Sequence, residues 1–363
     1  MPEARFQDLS PDDRRDALEV AERNGSHKAH LLEKDVWVVA TLGILFEAPF
    51  AGHLTFKGGT SLSKVWRAIR RFSEDIDITY DIRAFAPDLV SGSGVEALPP
   101  TRSQEKRWTR AIRARLGEWV RDQACPIVEE GLSRAGFVAR VRADAERLYI
   151  GYEPLFEESG FVRPEVIVEF GARSTGEPHV SRPVMCDAAA WILELSFPEA
   201  HPTVMLAERT FWEKATAIHV FCHQERPRGE RLSRHWHDLA RLDEAGIAAA
   251  ALTDPSVALS VARHKAMFFP ENDARGERID YEAAVSGALQ LIPSGAAHAV
   301  LADDYARMLA DGMLLDDSEP FDRLMERCAL IAVRANETKG RRCSPTNPDA
   351  LPWSASAVTS SRT

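Results

Sequence analysis

Long apolar runs are missing from this 363-residue chain. The longest, Val36 to Phe46, is too short to span a bilayer, and the first residues, Met1-Pro2-Glu3-Ala4-Arg5, hold no apolar signal core. Cysteine is scarce. Cys125, Cys186, Cys222, Cys328 and Cys343 are odd in number, widely spaced and never form CxxC. That fits a reducing cytoplasm better than a disulfide framework. The expectation is a soluble, cytoplasmic protein with no membrane contact. The order Gly-x4-Gly-Lys-Ser/Thr is also absent, which argues against a P-loop ATPase. No internal repeat is evident. His219 and His223 stand four apart, with His235 and His237 farther on, but no glutamate follows His219 as in His-Glu-x-x-His. They read as surface or phosphate-proximal histidines rather than a zinc site.

The formal charge is -10, which argues against a dedicated nucleic-acid-coating protein. The charge is uneven, however. Lys57, Lys64, Arg67, Arg70 and Arg71 fall in a stretch without any acid, and Arg102, Lys106, Arg107, Arg110, Arg113 and Arg115 face only Glu105. Each run alone reads equally well as a solvated helix face. A locally basic face on an acidic protein remains compatible with a polyanionic substrate.

Ordinary apolar content and this length predict two domains with sizeable cores. Ser10-Pro11-Asp12-Asp13 is a helix start, with a capping serine, a proline in the first turn, then acids. A second helix is expected over Leu31 to Phe46, a strand over His53 to Phe56, and a helix from Thr60 to Arg70. Ser73 to Asp81 switches to a period of two: Ile76, Ile78 and Tyr80 share one face, Asp75, Asp77, Thr79 and Asp81 the other. A loop, a long helix from Gln104 to about Leu132, and strands over Arg147 to Tyr152 and Val166 to Phe170 follow. Gly171 to Pro183 reads as irregular. From Ala188 the pattern is helical almost to Lys339. The fold class is therefore α+β: residues 1–187 as a mixed lobe with N-terminal helices, 188–339 as a helical lobe, and 340–363 as a disordered tail rich in Ser, Pro, Thr and Ala.

The informative stretch is Phe56-Lys57-Gly58-Gly59-Thr60-Ser61, then Arg71-Phe72-Ser73-Glu74-Asp75-Ile76-Asp77-Ile78. Glycines let a backbone approach phosphate closely, and a following helix start offers unpaired N–H groups. Thr60 and Ser61 add hydroxyls. Asp75 and Asp77, at i and i+2, point the same way from a strand, ~7 Å apart. Such a pair can share two divalent ions roughly 3.5–4 Å apart. Mg²⁺ suits these hard oxygen donors, with Mn²⁺ a possible substitute. Alone, Asp-x-Asp is the wet face of a half-buried strand; the glycine turn before it and the change of period make the combination more specific. Glu169, the lone charge in Val166-Ile167-Val168-Glu169-Phe170, is the candidate third carboxylate, the alternative being a residue that faces water.

Two residues break their local pattern. Lys214 falls within the apolar stripe of Phe211, Ala215, Ile218 and Phe221, where a cation either snorkels out or meets an anion. Asp238 lies at the edge of a stripe made by Leu232, Leu239 and Leu242, and its pattern alone reads as a boundary charge.

The stretch from Phe56 to Ile78 resembles the first motif of the AbiEii/AbiGii-type nucleotidyltransferase toxins of type IV toxin–antitoxin and abortive-infection systems, which include the MenT toxins. Glu208-Arg209-Thr210-Phe211-Trp212-Glu213-Lys214-Ala215 and Arg234-His235-Trp236-His237-Asp238-Leu239-Ala240-Arg241-Leu242 resemble the family's later motifs. Phe268-Phe269-Pro270, Ile279-Asp280-Tyr281 and Asp304-Tyr305-Ala306-Arg307-Met308 also read like the family. The resemblance implies a polymerase β-like nucleotidyltransferase lobe joined to a helical lobe. It implies that Lys57, Gly58, Gly59, Thr60, Ser61 and Lys214 bind the NTP, that Asp75 and Asp77 bind metal, and that Asp238 completes the site. It further implies transfer of nucleotide to RNA, with the tRNA acceptor end as acceptor, blocked translation and a partner antitoxin. Asp75 lies farther from the glycines than in many polymerase β-like enzymes, which implies a slightly longer intervening helix. The alternatives are nucleotidylation of a protein side chain and a catalytically silent NTP-binding partner protein.

Overall fold

The computed structural model describes residues 4–25, 27–157, 163–224, 231–310, 314 and 319–337; the tail expected from 340 lies outside them. Helix α1 (Pro11–Asn24) starts as its sequence requires, with the Ser10 hydroxyl accepting from the Asp13 amide at 3.2 Å. Helix α2 (Ala29–Glu47) is buried nearly all round, from Ala29 through Leu45. That burial explains why its apolar residues form a run and not a stripe. It carries Lys34 and Asp35 into the interior, where each finds a counter-charge.

Seven strands form one mixed sheet: β1 (Leu54–Lys57), β2 (Ile76–Asp81), β3 (Ala139–Asp144), β4 (Arg147–Tyr152), β5 (Glu165–Ser174), β6 (His179–Ser181) and β7 (Thr203–Met205), in the spatial order β3-β4-β5-β2-β1-β7-β6. The pairs β2–β5 and β1–β7 are parallel; the others are antiparallel. Phe56, Ile76, Ile78, Leu148, Ile150, Val166 and Val168 bury one face in a core shared with α2. The opposite face of the central strands is the floor of the site.

Four local expectations need correction. The helix after β1, α3, spans Gly58–Lys64 and stops well before Arg70. Arg67 turns the chain with φ 48°, and Ala68 and Ile69 drop into the second core. The extra residues before Asp75 are thus an irregular crossing, not a longer helix. The expected long helix is split into α4 (Arg102–Trp119) and α5 (Cys125–Arg134) by one π-helical turn, with Pro126 just inside α5. The segment after Gly171 is not simply irregular, since β5 runs on to Ser174 and β6 follows. Beyond a single 3-10 turn at Asp187–Ala190, residues 191–206 are not helical: they hold short strands and β7, so the sheet extends past Asp187.

Helices α6 (Ala207–His223), α7 (Arg234–Glu244), α8 (Ile247–Thr253), α9 (Pro255–Phe268), α10 (Gly295–Ala310) and α11 (Phe321–Glu337) follow. Phe211, Trp212, Trp236, Leu239, Tyr305 and Ile331 fill a second core, to which Leu62 of α3 also belongs. Among the described residues no helix is long and apolar enough to cross a membrane.

Candidate active site

One register row crosses four strands. Lys57 pairs with Asp77, Asp77 with Glu169, and Glu169 with Arg147. Directly paired residues hold their Cβ atoms about 4.5–5.5 Å apart on one face, so the row sets charges plus, minus, minus, plus side by side. Arg147 contacts Glu169 at 2.7 Å. Asp75 stands just before β2, beside the two central carboxylates.

Burial, and then the neighbouring Glu74, Asp77 and Glu169, push the Asp75 carboxyl up to about 6, with Lys34 opposing. Carboxylates gathered in this way repel one another, and a divalent cation relieves that repulsion. Among the described residues no group of three or more His, Cys, Asp or Glu side chains is closed enough to hold a metal unaided. The donor set fits an ion that arrives with its nucleotide. Mg²⁺ takes one or two carboxylates and completes its shell with water and substrate phosphate.

The glycine turn lies under these carboxylates. Gly58 has φ 78°, and a Cβ there would stand 2.0 Å from Asp77 Oδ2. A Cβ on Gly59 would meet Ser73 Oγ at 2.7 Å and Arg71 Nη2 at 2.8 Å. Both glycines line the cleft, as does Lys57. Thr60 and Ser61 do not. They are fully buried, and their hydroxyls donate to the Asp75 carbonyl at 2.6 Å and the Gly58 carbonyl at 2.9 Å. Thr60 thereby ties the turn to the start of the carboxylate strand, and Ser61 closes the turn on itself. Ser73 does line the cleft, which the sequence reading missed.

Helix α6 brings Lys214 to the same cleft. Its ammonium lies 2.8 Å from Asp238 Oδ2. Arg71 grips the same carboxylate with two bonds, Nε to Oδ1 at 2.7 Å and Nη2 to Oδ2 at 2.8 Å. Asp238 is fully buried, and both its oxygens are occupied. It does not line the cleft. It holds two cations, Arg71 and Lys214, at the rear wall. Burial opposes its ionisation most strongly, yet Arg71 and Lys214 together outweigh that and hold it well below the usual carboxylate range. Lys214 is lowered, chiefly by burial, with Asp238 acting against the fall.

The cleft has a volume of about 1350 Å³. Carboxylates (Asp75, Asp77, Glu146, Glu169, Glu213, Glu271) and cations (Lys57, Arg71, Arg173, Lys214, Arg234, Lys265) both line it. Arg173 could have been found by extending the alternation of β5, since positions 169, 171 and 173 share a face. Lys265 and Arg234 carried no such signal. Of the basic runs, Lys64 is spent internally on Asp35 at 2.6 Å and Asp187 at 2.8 Å, and Arg71 on Asp238. Arg113 and Arg115 pair with Glu146 and Asp88.

The family described as "Nucleotidyl transferase AbiEii toxin, Type IV TA system" matches residues 42–327, a span that holds every residue of the charge row and the Lys214–Asp238–Arg71 cluster. No curated protein matches the chain. Several solved structures do, MenT4 and JHP933 among them. MenT4, a nucleotidyltransferase toxin from Mycobacterium tuberculosis H37Rv, is 16% identical over 89% of this chain and 99% of its own, with a TM-score of 0.37. JHP933 from Helicobacter pylori is 14% identical over 83% of this chain and 88% of its own, with a TM-score of 0.35. Neither likeness in shape is close enough to carry a residue-by-residue correspondence. The family match spans most of the chain, and on it the protein belongs to the AbiEii nucleotidyltransferase toxins of type IV toxin–antitoxin systems.

Proposed function

We propose that this toxin transfers nucleotide from an NTP to RNA, with the 3′ end of tRNA as the acceptor, and that the modified tRNA no longer supports translation. The observation that carries the reading is the row Lys57–Asp77–Glu169 beside Asp75, set in one cleft with Lys214. Carboxylates are where metal-bound phosphate reacts, and cations are where a leaving group gathers charge.

The acceptor's hydroxyl oxygen attacks the α-phosphorus. The bond to the β-phosphate oxygen breaks, pyrophosphate departs, and the hydroxyl proton goes to solvent. Asp75 and Asp77, with Glu169 alongside, would hold the divalent metal, Mg²⁺ by preference. When bound, it supplies a lowered pKa to the attacking hydroxyl and counter-charge to the phosphates. Lys214, kept in place by Asp238, faces the departing pyrophosphate, and Lys57 flanks the phosphates. Gly58 and Gly59 keep that approach free of side chains. A cognate antitoxin protein restrains the reaction, which takes place in the cytoplasm.

The test is a transfer assay with the native protein, Asp75→Asn and Asp77→Asn, total tRNA, Mg²⁺ and each labelled NTP in turn. Label on RNA with the native protein, absent in both variants, is the expected result. Label on protein instead would establish side-chain nucleotidylation. NTP binding without transfer to either would sink the mechanism.

A further inference from the structure

Nothing in that reaction uses the Phe268-Phe269-Pro270 stretch at the end of α9. Phe268 is turned inward and buried, whereas Phe269 is 42% exposed and lines the cleft. Its position is fixed rather than loose. Its amide donates to the Lys265 carbonyl, and its carbonyl accepts from the Tyr281 hydroxyl, both at 2.9 Å. The Arg173 guanidinium carbon lies 4.5 Å from the Phe269 ring centroid, and the His264 ring centroid is 5.7 Å away. Among the described residues that guanidinium forms no ion pair and no side-chain hydrogen bond. An anchored, exposed ring with a guanidinium lying over it that no carboxylate claims among the described residues, inside a cleft lined by charged groups, has the chemistry that holds a nucleobase: any base offers a π-face, and arginine adds a cation for the attached phosphate. The cleft, at about 1350 Å³, also exceeds the roughly 300–1,000 Å³ typical of a site for one small ligand.

We propose that Phe269, backed by Arg173, is a stacking platform for a nucleobase brought into this cleft, that of the NTP or the terminal base of the RNA acceptor. The proposal rests on the nucleotide-transfer reading, but its test does not require turnover. Binding to the full chain is measured by calorimetry for the native protein, Phe269→Leu and Phe269→Trp. The probes are each NTP with Mg²⁺, a short single-stranded oligoribonucleotide, and inorganic triphosphate as a control without a base. The leucine variant is expected to weaken one of the first two by roughly 5- to 150-fold, the worth of one base–aromatic stack, with tryptophan restoring it and triphosphate unaffected. Loss in the NTP arm assigns the platform to the NTP, and loss in the oligonucleotide arm assigns it to the acceptor. Changes within about twofold in both arms, or an equal loss for triphosphate, overturn the proposal. Base-dependent binding that needs Phe269, in a protein that transfers no nucleotide, keeps the platform and removes only the transfer reading.

Discussion

Replacing Asp238 by asparagine keeps the side chain's shape and removes its charge. In the native cluster one carboxylate, fully buried, satisfies Arg71 through two bonds and Lys214 through a third. An asparagine offers one acceptor oxygen and turns an N–H₂ group toward a cation, so two buried positive charges lose their counter-ion. Breaking a buried pair in this way costs about 3–5 kcal/mol. The cost has a pH signature. Asp238 has a depressed folded pKa, so its contribution is complete above the unfolded value of ~3.9 and is lost only as pH falls through the folded one. In the variant, Lys214 loses the group that opposes its fall, and sheds its proton at lower pH than in the unfolded chain. The unfolded state then binds more protons, and the variant gains stability as pH rises. The penalty is therefore largest near neutral or mildly acidic pH and shrinks toward alkaline pH. Urea unfolding followed by tryptophan fluorescence reads it directly, because Trp212 and Trp236 sit in the same core. The Arg71→Met/Asp238→Leu double variant should be more stable than Asp238→Leu alone. A penalty under 1 kcal/mol, a penalty that grows with pH, or strictly additive single effects would refute the reasoning.

Gly58→Ala places a Cβ at φ 78° and against Asp77 Oδ2; it should cost roughly 1–2 kcal/mol in backbone strain and cut transfer by about 100-fold, measured as kcat on tRNA. Asp75→Asn removes a carboxylate that burial and then its acidic neighbours disfavour; it should raise the melting temperature of the metal-free protein at pH 7 while abolishing both transfer and stabilisation by Mg²⁺. Burial brings the Lys265 ammonium down to about 8, with Glu213 opposing, so the cleft loses a cation above that pH. NTP affinity measured by titration should fall as pH rises through 8, and Lys265→Arg should remove the fall.

The sequence was most readable where a period governed it. Alternation placed Asp75 and Asp77 at a strand with one buried face, and a cation inside the stripe of α6 marked Lys214. Partners far apart in the chain were not readable. Asp238 looked like a boundary charge because its meaning comes from Arg71, 167 residues earlier. The same partnership helps end α3 early, since Arg71 must turn into the interior and a continued helix would not deliver it there. Thr60 and Ser61 looked like phosphate contacts because hydroxyls after glycines suit that work; backbone carbonyls within reach claimed them instead. Strand β7, only Thr203–Met205, is too short for any periodicity, and only its pairings with neighbours far away in the chain, parallel to β1 through Phe56 and antiparallel to β6 through His179 to Ser181, make it a strand.

Helix α2 begins before the family-matched span of 42–327, yet two of its buried charges brace the segment between the glycine turn and Asp75. Asp35 receives Lys64 at the end of the glycine helix, and Lys34 clasps Glu74 next to the first aspartate while donating to the Arg163 carbonyl at 2.9 Å. A chain begun at residue 42 would keep every residue that lines the cleft and still lose the two clamps that brace the segment between the glycine helix and Asp75. The folded unit that supports the cleft thus reaches upstream of the matched span, as far as the buried charges Lys34 and Asp35.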